Sequence, residues 1–284
     1  MRFEKFKHLT KNYTAVPVYR RLMADILTPV SLFLKLREGS RHPFLLESVE
    51  GGEQIARYSF LGRDPYQVLT YDGNDVVLQK EGVSTKRNQP YFEVLKELTT
   101  KHSEPKLPDL PRLTGGAVGF SSYDTVREVE RLPRVPEADI DIPEAVWAFY
   151  DEVFAFDHVK QQVIIIKTVF VDEQSNVETC YRQAQRRLDE LEALVLQPKP
   201  APDREFSIDT ENLTSNIEQK EFESMVRRAK EYVYEGDIFQ VVLSQRLECD
   251  FRGDRFMLYR ALRMVNPSPY LFFLDLDYFA LVGS

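Results

Sequence analysis

Gln240, Ser244 and Arg246 stand at even positions in Ile238-Phe-Gln-Val-Val-Leu-Ser-Gln-Arg246. Side chains alternate faces along a strand, so these three would share one face with Ile238 and Val242. Phe239, Val241, Leu243 and Leu247 would form the apolar reverse. An arginine in such a row can grip a carboxylate through two parallel hydrogen bonds. The same alternation describes a solvated strand face, and pattern alone favours that account. Leu45-Leu-Glu-Ser48 runs into Val49-Glu-Gly-Gly52. Glu47 and Ser48 there could hold the charged ends of a small zwitterion, although a hairpin with polar turn residues is the favoured account on these residues alone. In Asn266-Pro-Ser-Pro-Tyr270 two prolines stiffen a corner and preorganise its carbonyls toward an amine. A helix stop would use the same residues.

Other constellations carry less. Asp275 with Asp277, and Asp139 with Asp141, share strand faces by spacing but lack the glycine and glutamate of a calcium loop. Gly115-Gly-Ala-Val-Gly119 has no following Gly-Lys-Ser/Thr and reads as close backbone packing. His8, His42, His102 and His158 lie far apart, and Cys180 and Cys249 are too few for a disulfide framework. No metal site is read in this chain, and no nucleophile has a recognisable base beside it.

A chain of 284 residues with 43% hydrophobic residues can bury a large core without disulfides or metal. Its net charge of −8 opposes the basic footprint of a nucleic-acid binder. No apolar run reaches the length of about 18 residues that a membrane span needs. Met1-Arg-Phe-Glu-Lys5 has no apolar signal core. The expectation is a soluble, cytoplasmic protein with no nucleic-acid or membrane partner.

The elements that must position these residues are read from periodicity. Strands fit Thr14–Leu22, Pro43–Val49, Gln54–Leu61, Gln67–Tyr71 and Asp75–Gln79, with a hairpin turn at Asp72-Gly-Asn74. Thr28 caps a helix that has Pro29 in its first turn and Gly39 as its stop. Tyr91–Lys101 reads as a helix, and Thr114–Ser121, Ala145–Phe156 and Gln162–Phe170 as strands. Val177–Val195 is an amphipathic helix. Gln197-Pro-Lys-Pro-Ala-Pro202 marks a boundary near 197–206. Beyond it, Ser215-Asn-Ile-Glu218 fits a capping box, and Gly236 ends the helix it opens. A strand at Ile238–Leu247, a helix at Asp254–Val265 and a strand pair at Tyr270–Leu274 and Tyr278–Val282 follow. The class is α+β, with largely antiparallel sheets and packed helices.

Five segments in order resemble the large subunit, component I, of anthranilate synthase, a member of the chorismate-utilising enzymes. They are Leu45–Ser48, Arg57-Tyr-Ser-Phe-Leu-Gly62, Leu113–Asp124, Gly236–Arg246 and Asn266-Pro-Ser-Pro-Tyr-Leu-Phe-Phe273. The resemblance runs from about residue 10 to the end of the chain. It implies a β-α-α-β sandwich, incomplete here. It also implies two regions: 1–205 with half of an inhibitor site, and 206–284 as the start of the catalytic region.

The resemblance implies conversion of chorismate and ammonia to anthranilate and pyruvate, with Mg²⁺ as cofactor, in tryptophan biosynthesis. A separate glutamine amidotransferase subunit, component II, would deliver the ammonia within a hetero-oligomer. L-Tryptophan would inhibit through Glu47, Ser48, Asn266, Pro267, Ser268, Pro269, Tyr270 and Leu271, with Tyr270 and Phe272 near its indole. Gln240, with Ser244 and Arg246, would form one wall of the chorismate site. Isochorismate synthases carry a lysine base in place of Gln240, and a glutamine amide has no useful basicity to activate water. Family members are substantially longer, and their catalytic histidine and Mg²⁺-binding glutamates fall beyond Ser284. The chain alone is therefore expected to be a truncated, inactive form. Aminodeoxychorismate synthase component I and a non-catalytic tryptophan-binding fragment are the alternatives.

Overall fold

The computed structural model describes residues 1–48, 57–135, 139–198 and 205–284. They fall into two units, Met1–Pro202 with Tyr259–Ser284, and Asp203–Leu258. In the first unit, one sheet contains β1 (Ala15–Met23), β2 (Phe44–Glu47), β3 (Tyr58–Gly62), β9 (Glu152–Asp157), β10 (Gln162–Phe170), β15 (Leu271–Leu276) and β16 (Phe279–Gly283). Its order is β1-β10-β9-β3-β2-β15-β16, and every pairing is antiparallel. The second sheet holds β4 (Gln67–Tyr71), β5 (Val76–Lys80), β6 (Val83–Arg87), β7 (Gly116–Ser121) and β8 (Ala145–Tyr150), in the order β6-β5-β4-β8-β7.

Facing side chains hold the two sheets together. Phe44, Leu46 and Leu274 from the larger sheet share a core with Val68, Val146 and Ala148 from the smaller one. Helix α3 (Tyr91–Thr100) seals the far face of the smaller sheet, placing Tyr91, Val94 and Leu98 over Leu69, Tyr71 and Phe149. Helices α1 (Phe3–Leu9), α2 (Pro29–Leu36) and α4 (Val177–Leu196) cover the larger sheet, α4 burying Ala184, Leu188, Leu191 and Val195. Layers therefore run helix, sheet, sheet, helix, in the expected α+β class with antiparallel sheets. β10 reads Val-Ile-Ile-Ile without alternation because both of its faces are buried, with Leu110 covering Ile164 and Ile166 on the side away from α4.

Local signals act as expected where the partner lies close in sequence. Ser31 N–H donates to Thr28 Oγ1 at 3.0 Å and Thr28 N–H donates to Ser31 Oγ at 2.9 Å, closing a capping box before Pro29. Two expectations in this unit need correction. Ala145–Phe156 is not one strand: Asp151 separates β8 in the smaller sheet from β9 in the larger. An apolar run satisfies either sheet, so sequence alone does not reveal the crossing. Residues 206–284 are not one unit either, because β15 pairs with β2, in register Leu271 opposite Glu47. Val49 and Gln54–Ala56, placed in strands by periodicity, lie outside the described residues.

The second unit pairs β11 (Phe206–Ile208) with β14 (Phe251–Gly253), and β12 (Thr214–Ser215) with β13 (Leu247–Glu248). Helix α5 (Gln219–Glu235) ends at Gly236, whose φ of +82° suits a residue without a Cβ. The expected capping box does not form. Glu218 is the N-cap without a side-chain bond, and Ser215 Oγ donates to Ile217 O at 2.7 Å instead. The strand expected at Ile238–Leu247 is also absent up to Arg246. Alternation makes a strand only when a neighbour supplies ladder hydrogen bonds. Among the described residues, only the end of that segment has such a neighbour: Leu247 pairs with Ser215, and Asn216 N–H donates to Arg246 O at 3.2 Å. Helix α6 (Arg255–Val265) begins in this unit and enters the first at Tyr259.

Candidate functional site

A cavity of about 610 Å³ opens in the first unit between the two sheets. β2, β3 and β15 supply Leu46, Phe60 and Phe272; β7 and β8 supply Val118, Phe120 and Trp147. The volume suits a small organic ligand, and the lining is mostly apolar with few polar groups. Gly119 brings β7 close to its neighbour: a Cβ there would collide with the backbone carbonyl of Val146. Gly119→Ala should therefore cost about 1–3 kcal/mol through displaced backbone, read as a lower urea midpoint.

Glu47 and Ser48 follow one another yet do different work. Phe44 and Leu46 point into the inter-sheet core, so Glu47 points to the opposite face. There its Oε2 accepts from Tyr259 Oη at 2.6 Å and from Arg263 Nε at 3.1 Å. The carboxylate is almost fully buried, with 4% exposure, and Arg263 balances its charge. Burial, reinforced by that neighbouring carboxylate, pushes the Tyr259 phenol far above its ordinary pKa. Glu47 is also among the residues that line the cavity, while its Oε2 is engaged by Tyr259 and Arg263. Ser48 lines the cavity, and its buried Oγ has no hydrogen-bond partner among the described residues. An unsatisfied buried hydroxyl costs free energy that a polar ligand group would recover.

The second wall comes from the proline corner. Pro269, Tyr270 and Leu271 line the cavity beside Ser48, as does Phe272. Asn266, Pro267 and Ser268 do not line it; they shape the corner. Asn266 Nδ2 donates to Ser284 Oγ at 2.7 Å, and Tyr270 N–H donates to Ser268 Oγ at 3.1 Å. The β2–β15 ladder is what brings these remote segments together.

Gln240, Ser244 and Arg246 belong to the second unit and do not share a strand face there. Gln240 lines an apolar groove with Val226, Ala229 and Val233 of α5. Ser244 is exposed. Arg246 Nε donates to Glu248, while its backbone N–H donates to Asn216 Oδ1 at 2.9 Å. Asp277 adopts φ +74° in the β15–β16 turn, so it does not share a strand face with Asp275. Among the described residues, no three His, Cys, Asp or Glu side chains cluster to hold a metal ion. No helix among them is long and apolar enough to cross a membrane.

Sequence reasoning missed the floor of the cavity and the Glu47 partners. Two signals were available: the small-residue run Gly115–Gly119, and Tyr259 with Arg263 at i,i+4 on the helix before the corner.

Similarity to known proteins covers the whole of this arrangement. The chain matches the chorismate binding enzyme family over residues 41–284. Anthranilate synthase component 1 of Acetivibrio thermocellus is 39% identical over 288 residues, covering 99% of this chain and 58% of the relative. Its namesake in Synechocystis sp. is 38% identical over 298 residues, with 99% and 58% covered. The crystal structure of anthranilate synthase component I from Streptococcus pneumoniae TIGR4 aligns with a TM-score of 0.61 and 28% identity, covering 93% of this chain and 57% of that one. The chain thus spans about 58% of the length of these curated relatives. With both walls of the cavity inside the matched region, the chain belongs to the chorismate binding enzyme family.

Proposed function

We propose that this chain is the N-terminal part of an anthranilate synthase large subunit and that its inter-sheet cavity binds L-tryptophan as feedback inhibitor. The complete cytoplasmic protein would convert chorismate and ammonia to anthranilate and pyruvate, with ammonia supplied by a glutamine amidotransferase subunit. Support comes from relatives of that name aligned along 99% of the chain. The observation that carries the tryptophan reading is Ser48 Oγ, a buried hydroxyl without a partner among the described residues, on the wall of an apolar cavity. An indole would pack among Phe60, Phe120 and Trp147, whose rings offer face and edge contacts. Ser48 and the backbone at Pro269 and Tyr270 would meet the charged ends of the amino acid.

Chemistry on chorismate is less well supported in this chain. Gln240 has no basic group with which to activate water, which favours ammonia as nucleophile. The described residues offer no fitting donor set for the Mg²⁺ that the family implies, so no step is assigned to it. A second reading for the chain by itself is a non-catalytic tryptophan-binding module, supported by the same cavity and Ser48 hydroxyl.

A thermal melt with L-tryptophan, using D-tryptophan as control, tests the site. Ligand at about 100 times its dissociation constant should stabilise the fold by roughly 2.7 kcal/mol. The expected midpoint rise is about 5–10 °C for L-tryptophan alone. A cooperative melt that neither enantiomer shifts would refute the tryptophan site.

A further inference from the structure

Glu47 holds both sides of the proline corner. Its backbone is in register with Leu271, the first β15 residue after the corner. Its side chain binds Tyr259 and Arg263 of α6, the helix that runs into the corner at Asn266. These two helical residues stand one turn apart on a single face, so one carboxylate can engage both. Residues 266–270 are therefore bracketed, before and after, by contacts to one buried residue. Ser48, the polar group of the opposite wall, is its immediate neighbour in sequence.

We propose that the Glu47 carboxylate acts as a positioning group for the cavity: through Tyr259 and Arg263 it sets the spacing between Ser48 and the Pro269–Leu271 wall. Loss of the carboxylate would leave the β2–β15 ladder intact and loosen the polar tie between β2 and α6, with Tyr259 still packed on Phe273. The corner would then pivot about Leu271, and the Pro269–Tyr270 wall would move relative to Ser48. Any ligand spanning both walls would suffer, whichever charged groups it carries. The inference rests on the reading of the cavity as a tryptophan site.

The test compares two ligands and two variants. L-Tryptophan and indole-3-propionate share an indole and a carboxylate, but only the first has an ammonium. Calorimetric titration of the whole chain carrying Glu47→Gln or Tyr259→Phe should show both ligands weakened by the same factor, about tenfold or more. The double variant should bind no worse than the weaker single one, because both substitutions break one link. Amide exchange over Tyr259–Val265 should slow on ligand addition in the unsubstituted chain and lose that response in Tyr259→Phe. If Glu47→Gln does not fold, Tyr259→Phe carries the same comparison, since it keeps the ring. Weakening confined to L-tryptophan would make Glu47 an ammonium contact and overturn the proposal. Unchanged affinity for both ligands, or an unchanged exchange response, would also overturn it while leaving the tryptophan site standing. If neither ligand binds the unsubstituted chain, the site reading fails and takes the proposal with it.

Discussion

Replacing Lys167 by methionine will lower the melting midpoint by about 6–20 °C. Lys167 Nζ lies 2.6 Å from Asp151 Oδ2 and 3.0 Å from Glu152 Oε1. Arg187 holds Glu152 from the other side, with Nε and Nη2 donating at 2.9 and 3.0 Å. The cluster sits where β9, β10 and α4 meet, and methionine matches the lysine stem without its charge. Asp151 would then keep a largely, not fully, buried carboxylate without its lysine partner. Breaking such a pair from one side costs about 3–5 kcal/mol. At roughly 2–4 °C per kcal/mol for a chain of this size, the stated range follows.

Acid should narrow the difference between the variant and its parent. Burial raises the Asp151 carboxyl above its ordinary range despite Lys167. Burial also pushes Glu152 upward, but Arg187 and Lys167 outweigh it and hold that carboxyl low. A depressed carboxyl adds stability above its unfolded pKa, about 4.3 for glutamate, and loses it as pH falls. A raised carboxyl does the reverse, costing stability above its unfolded pKa and recovering it in acid. Removing the lysine raises Asp151 further, so the variant carries its largest penalty near neutrality. Melts at neutral pH and below about pH 5 should show the gap shrinking. A gap of constant size would mean that lost packing, not charge, causes the defect.

Phe273→Ala should cost about 3–5 kcal/mol, in the range for aromatic residues deleted from a closed core. Phe273 is fully buried in β15, its ring centroid 5.6 Å from that of Phe33 and 6.0 Å from that of Tyr259. Phe33 of helix α2 and Tyr259 of helix α6 thus both pack against this one ring. The void would remove support from Tyr259 as well, so tryptophan-dependent stabilisation should fall along with the urea midpoint. Phe279→Ala, in the partly exposed edge strand β16, makes the natural comparison and should cost much less. Equal losses at the two positions would show that β15 is no more central to the core than its edge neighbour.

The sequence was legible wherever structure depends on near neighbours. The Thr28 cap, the β4–β5 hairpin at Asp72–Asn74 and the apolar seam of α4 each need only residues a few positions away. It was not legible where a strand's partner decides. Ala145–Phe156 has the composition of one strand, yet its two halves belong to different sheets. Ile238–Arg246 has strand alternation, yet no strand among the described residues pairs with it. The candidate site shows the same division. The two segments on either side of the cavity are visible as motifs. That Glu47 and Ser48 face opposite ways, and that Tyr259 and Arg263 complete the arrangement, follows only from the register of β2 against its neighbours.

The pairing of β2 with β15 also governs the order of events when the chain folds. Phe44–Glu47 must wait for Leu271–Leu276, a closure across most of the chain's length. Such distant contacts carry a loop-closure cost before any contact energy repays it, and they slow folding. On the ribosome, β2, β3, β9 and β10 emerge long before β15, so β2 keeps one open edge until β15 follows. The wall formed by Pro269–Leu271 arrives with β15. The cavity therefore forms only after β2 and β15 have paired, and a ligand that needs both walls can recognise only that paired arrangement. Such a ligand would slow unfolding and leave the rate of folding almost unchanged.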